Sequence, residues 1–147
     1  MKNRYFALLV FLLIGYVSNA QEDAIYTTKN GAIQGYDPVA YFKDGSPVKG
    51  NKEISTTWMG AKWFFSSNEN LNLFESDPEK YAPQYGGYCA YGVAKGGLYK
   101  TEPEAWKIVD GKLYLNYSLK IQKDWEEDIS GFIVSADKKW PELKADQ

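Results

Sequence analysis

The chain has 147 residues with 17 basic and 19 acidic side chains, one cysteine and no histidine. A single thiol excludes an internal disulfide, and the absence of histidine excludes His-based triads and zinc sites of the His-Glu-x-x-His type. The mild negative charge argues against a nucleic acid partner and against electrostatic attraction to an anionic membrane.

Lys2 and Arg4 precede an uncharged apolar run from Tyr5 to Val17, and Ser18-Asn19-Ala20 supplies small residues at a peptidase site. The pattern predicts a signal peptide over residues 1–20, cleaved after Ala20, because the run is short of the roughly 20 apolar residues that a spanning helix needs. The expected product has no transmembrane segment and is periplasmic or extracellular. Neither a twin arginine nor a cysteine after the cleavage point is present, so twin-arginine export and a lipid anchor through such a cysteine lack support. Removing 20 of 147 residues leaves 127, with 15 basic and 19 acidic side chains and a net charge of −4. That length fits one domain with a real core.

Residues 21–34 are polar and mixed, and read as a short lead-in strand or N-terminal arm. Asp37-Pro38 marks a turn, and Val39 to Phe42 is a short apolar run of strand character. Glu53 to Phe65 predicts two strands joined at Met59-Gly60-Ala61-Lys62. Ser66-x-x-Glu69 has capping-box spacing and predicts a helix with Leu71 and Phe74 on its buried stripe, ended by Asp77-Pro78, which opens a second short turn. Tyr81, Tyr85, Tyr88 and Tyr91 then recur at steps of four, three and three, which places them on one helical face. Each glycine in that helix would cost about 1 kcal/mol relative to alanine, a penalty that close packing against another backbone could offset.

Gly96-Gly97 ends this segment, and Thr101-Glu102-Pro103-Glu104 repeats the capping-box spacing before a short turn reaching Trp106. Lys107–Val109 and Lys112–Leu115 flank Asp110-Gly111, a dipeptide suited to a two-residue hairpin turn. Apolar residues at helical spacing predict helices from Ser118 to Asp128 and from Ile129 to Trp140, with Ile121 and Trp125 on one face and Pro141 as the stop. The expected fold class is α+β, with small antiparallel hairpins packed with several short helices in one compact domain.

Three stretches, Gly35-Tyr36-Asp37-Pro38-Val39-Ala40-Tyr41-Phe42, Trp63-Phe64-Phe65-Ser66-Ser67 with Asn70 and Phe74, and Pro78 to Ala90, together resemble the exported, single-domain branch of the YHS domain family. The resemblance implies a YHS-like domain over residues 35–147, with residues 102–141 similar to the C-terminal extension of that branch. It also implies an accessory module more than an enzyme. Metal-associated forms of the family carry one cysteine directly after Asp-Pro-Val and another in the Tyr-Phe-Cys-Ser stretch. In this sequence those positions are Ala40 and Ser66, which removes the clustered sulfur ligands that a soft metal needs.

Cys89 has two readings. One is a single copper(I) ligand or redox-active thiol, which would require a lowered pKa and further ligands from Met59, backbone groups or a partner. The other is a small buried hydrophobe. The tyrosine row, with Tyr36 or Tyr41, would line an aromatic ligand pocket or would pack as core. Gly86-Gly87 would admit a ligand close to the backbone or serve helix packing. Asp37, Glu69, Asp77 and Glu79 have the simpler role of turn and cap residues, and Glu126-Glu127-Asp128 that of a solvated helix end. The expected function is therefore an exported YHS-like accessory domain that binds a small ligand or an envelope protein around Tyr41, Tyr85, Gly86, Gly87, Tyr88 and Cys89. The alternative is copper or other metal binding, or a redox role, through Cys89.

Overall fold

A computed structural model describes residues 24–147; the predicted signal peptide lies outside the described residues. Two antiparallel two-residue strands come first, β1 (Thr27–Thr28) and β2 (Gly31–Ala32). Ala32 and Ile33 are buried, and Ile25 packs against the same core.

The segment read as a strand from Val39 to Phe42 is helix α1 (Pro38–Lys43). Four consecutive apolar residues carry no period that separates strand from helix. The deciding signal is the pair in front of them. Asp37 is the N-cap, accepting hydrogen bonds from the Val39 and Ala40 N–H groups, and Pro38 stands at the first helical position, where its missing N–H costs nothing.

Strands β3 (Asn51–Trp58) and β4 (Ala61–Phe65) form the predicted hairpin, paired from Ser55↔Phe64 to Trp58↔Ala61. Its turn narrows to Met59 and Gly60, both at positive φ. Helix α2 (Asn68–Ser76) follows, but its cap is Ser67, whose Oγ accepts from the Asn70 N–H at 3.1 Å. The hydroxyl of Ser66, the expected cap, donates to Asp37 Oδ2 at 2.8 Å instead. Phe74 is fully buried on this helix and Leu71 partly so. Asp77-Pro78 ends α2 and opens α3 (Pro78–Tyr81), as the sequence predicts.

The single tyrosine-bearing helix does not form. After α3 the chain makes a tight turn at Gln84–Gly87 and only then helix α4 (Ala90–Ala94). Tyr85, Gly86 and Gly87 all have positive φ, which no right-handed helix accommodates. The four-three-three tyrosine spacing thus mimics a helical period across two short helices and a left-handed turn. The Thr101 spacing likewise starts no helix: the Thr101 hydroxyl donates to the Gly87 carbonyl at 2.7 Å and so ties two loops together.

Strands β5 (Trp106–Val109) and β6 (Lys112–Leu115) close the third hairpin about Asp110 (φ 50°) and Gly111 (φ 73°), the left-handed pair expected there. Helix α5 (Leu119–Glu126) is capped by Ser118, and α6 (Ile129–Ala145) by Asp128. Pro141 does not stop α6. Trp140 and Leu143, on either side of it, both pack against the core, and their burial offsets the missing N–H.

The arrangement is α+β, with three small antiparallel hairpins and six short α-helices among the described residues. Strand β6 alternates. Leu113 and Leu115 enter a core with Val39, Trp63 and Phe74, while Tyr114 enters a second core with Val93, Trp125 and Ala136. The β5–β6 hairpin therefore forms the wall between the two cores and joins the C-terminal helices to the rest of the fold. Among the described residues no helix is long and apolar enough to cross a membrane.

Candidate functional site

Cys89 sits at the N-cap of α4 and is buried. Its Sγ accepts hydrogen bonds from the Gly92 N–H at 3.4 Å and the Tyr117 N–H at 3.2 Å, and lies 3.6 Å from Asn116 Oδ1. Its own N–H donates to the Tyr99 carbonyl at 3.0 Å. One residue thereby gathers the start of α4, the loop at Tyr99 and the chain entering α5. Burial pushes the thiol pKa up, and the N–H donors of Gly92, Tyr117 and Tyr91 offset only part of that rise. A thiol held protonated is a poor nucleophile. Cys89 is expected to react with a disulfide reagent at least about 100-fold more slowly in the folded chain than in urea, as followed by the released chromophore.

Around that residue lies a pocket of about 280 Å³, lined by Cys89, Gly92, Tyr91, Tyr99, Tyr117, Ile121 and Lys95. Tyr99 is 54% exposed and Tyr117 40%, so both lining residues are also open to solvent. Gly92 and Gly97 make room for the Tyr99 ring, since a Cβ on either would come within 2.5 Å of it. Lys95 Nζ stands 5.3 Å from the centroids of both Tyr91 and Phe132, and Lys100 Nζ 5.0 Å from that of Tyr117.

The other anticipated residues are spread apart. Tyr85 and Gly86 line a different cavity, of about 330 Å³, with Ile25, Trp58, Met59 and Trp140. Gly86 has φ 61°, and any Cβ there would run into the Ala24 carbonyl. What comes close to this glycine is the chain's own N-terminal segment, pinned by the Tyr26 N–H to the Gly86 carbonyl at 2.8 Å. Gly87 serves through its carbonyl, the acceptor for Thr101. Tyr88 packs between Tyr26 and Trp140, at 5.4 and 6.3 Å between ring centroids. Tyr41 is buried in the first core, its hydroxyl donating to the Pro103 carbonyl at 2.8 Å.

Tyr85 is likewise buried and donates to Asp137 Oδ1 at 2.8 Å. Both phenols are pushed far above their ordinary value near 10, Tyr41 by burial and then Glu104, Tyr85 by burial and then Asp137. Above about pH 10 the unfolded chain releases these protons while the folded chain keeps them, so stability is full below that pH and falls as pH rises. The expected loss is about 1.4 kcal/mol per pH unit from Tyr41 alone, with Tyr85 adding in the same direction. Urea midpoints between about pH 8 and pH 11 check this, and Tyr41→Phe should flatten the fall.

The positions where the resemblance puts thiolates lie together at Asp37. Its Oδ1 accepts from Val39 N and Ala40 N, and its Oδ2 from Ser66 N, Ser66 Oγ and Asn70 Nδ2. Ala40 offers no donor atom, and both carboxylate oxygens are committed to N–H and O–H groups. This set does not fit a thiophilic ion. Met59 lines the cavity at Tyr85 while Cys89 lines the other, so the two sulfur atoms do not share a cavity. Among the described residues no cluster of three Cys, Asp or Glu side chains is placed to hold a metal.

Tyr99, Tyr117, Lys95 and Ile121 were not foreseen as site residues. The only local signal is Gly92 and Gly97 shortly before Tyr99, and its meaning depends on the ring lying across them. No curated protein and no solved structure matches this chain. The YHS domain family model matches residues 39–85, from α1 to Tyr85, and over that stretch the chain is similar to the YHS family.

Proposed function

We propose that this chain is an exported, non-enzymatic YHS-like accessory module that binds a small, mainly apolar ligand. The observation that carries the reading is the pocket of about 280 Å³ at Cys89, walled by three tyrosines, two of them exposed at its mouth. Pockets for small ligands are concave and mostly apolar, with few polar groups. Cys89 forms its floor as a protonated, hydrogen-bonded thiol. Export rests on the charged start, apolar run and Ala20 of the first 20 residues.

A fragment screen by ligand-observed NMR on the chain from Gln21 onward tests the reading, with amide shifts to locate hits. Hits that move Gly92, Tyr99 and Tyr117 are expected. A chain that takes no fragment, or whose resonances move only when copper(I) or zinc is added, would contradict it. Intact mass of protein recovered from its native source should correspond to a start at Gln21, and a start at Met1 would remove the export part.

A further inference from the structure

We infer that the pocket at Cys89 selects a one-ring aromatic acid, with the ring against the tyrosine walls and the carboxylate toward Lys95. The inference rests on the small-ligand reading above and specifies the chemistry of the same site.

Size comes first. Pockets for drug-sized ligands start near roughly 300 Å³, and this one, at about 280 Å³, has room for a single ring with a short substituent. The walls call for a flat apolar group. Tyr91, Tyr99 and Tyr117 supply ring faces and edges, Ile121 a branched aliphatic surface, and Gly92 a stretch without a side chain. The Tyr99 ring lies against Gly92 and Gly97 yet is 54% exposed, so it is backed by backbone and open on its other side. Offset or edge-on ring contacts suit such a surface.

Charge decides what the ring carries. A three-tyrosine cage would in general attract a cation. Here lysines already stand over two of the three rings, Lys95 over Tyr91 and Lys100 over Tyr117. No Asp or Glu lines the pocket. Among the described residues the ion pairs belong to Lys43, Lys107 and Lys120, which leaves Lys95 and Lys100 without a carboxylate. A cationic ligand would meet the Lys95 charge in the lining with no acid there to balance it, whereas an anionic one would supply the missing partner.

Phenylacetate, phenylacetamide and phenethylamine share one ring and differ in charge, and the full chain from Gln21 can be titrated with each while amide shifts are followed. Phenylacetate is expected to bind in the millimolar range, at least about fivefold more tightly than the amide, with the amine weakest and shifts centred on Gly92, Lys95, Tyr99 and Tyr117. Lys95→Met should erase the preference for phenylacetate over phenylacetamide, while Tyr99→Ala should weaken both by about tenfold. Tyr99 is more than half exposed, so that variant is expected to fold, and circular dichroism checks it. Equal affinity for all three probes at this pocket would overturn the aromatic acid and leave a small-ligand module standing. Shifts centred instead on Trp58 and Tyr85, or none with any probe at about 20 mM, would overturn the assignment of this pocket. A fragment screen without hits would in addition remove the reading beneath it.

Discussion

Asp37→Ala is expected to lower stability by about 3–5 kcal/mol, a large part of the roughly 5–15 kcal/mol available to a domain of this size. The carboxylate is fully buried and accepts five hydrogen bonds from three places: the first turn of α1, Ser66 directly after β4, and α2 through Asn70. Alanine would leave the buried Val39 and Ala40 N–H groups without an acceptor and the Asn70 amide with only Ser66 Oγ, while the exposed Ser66 can turn to water. Stranding buried donors costs more than the net gain of the bonds themselves. Asp37→Asn keeps one acceptor oxygen but turns an NH2 group toward N–H and O–H donors, and should cost about 2–3 kcal/mol. Urea unfolding of both variants measures the order, with alanine the less stable. An unchanged midpoint for Asp37→Ala would mean that the network does not hold these elements together.

Trp125→Ala is expected to cost about 3–5 kcal/mol and to loosen the C-terminal helices from the wall between the cores. Trp125 is fully buried on α5, with its ring 5.5 Å from that of Tyr114 on β6. Tyr114 also contacts Tyr85, at 5.9 Å between centroids, so the indole connects α5 to the turn after α3 through one strand residue. Its Nε1 has no hydrogen-bond partner among the described residues. Trp125→Phe therefore loses volume but no hydrogen bond, and should cost only about 1–2 kcal/mol. Thermal unfolding followed by far-ultraviolet circular dichroism separates the two variants. Equal losses would show that packing around Trp125 is not what secures the extension.

Where a turn or cap acts on its immediate neighbours, the fold is legible in the sequence. Asp110-Gly111 specifies its hairpin because both residues adopt the left-handed conformation that such a turn needs. Asp77-Pro78 ends one helix and begins the next for the same kind of local reason. Periodicity misleads where a run is short or glycine-rich. Val39 to Phe42 gives no period at all, and its helix is encoded by Asp37 and Pro38 before it. The tyrosine spacing from Tyr81 to Tyr91 is helical in number only, because Tyr85, Gly86 and Gly87 turn the chain left-handed in its middle.

The pocket is less legible than the fold. Cys89 and Tyr91 stand together in sequence, but Tyr99, Tyr117 and Ile121 come from two other segments. They are drawn in by the Cys89 N–H to the Tyr99 carbonyl and by the Tyr117 N–H to Cys89 Sγ. Those bonds depend on how three loops meet, which no local pattern encodes. The same bonds give Cys89 a structural reason to be present that does not require a metal.

Competition for copper(I) against a chromogenic chelator, on the chain from Gln21 and its Cys89→Ser variant, puts small-ligand binding directly against metal binding at this cysteine. Serine keeps an acceptor for the Gly92 and Tyr117 N–H groups and so preserves the cap. The account predicts that neither protein withdraws a stoichiometric equivalent of copper. One equivalent bound tightly by the wild-type chain and lost in the variant would contradict it and make Cys89 a metal ligand.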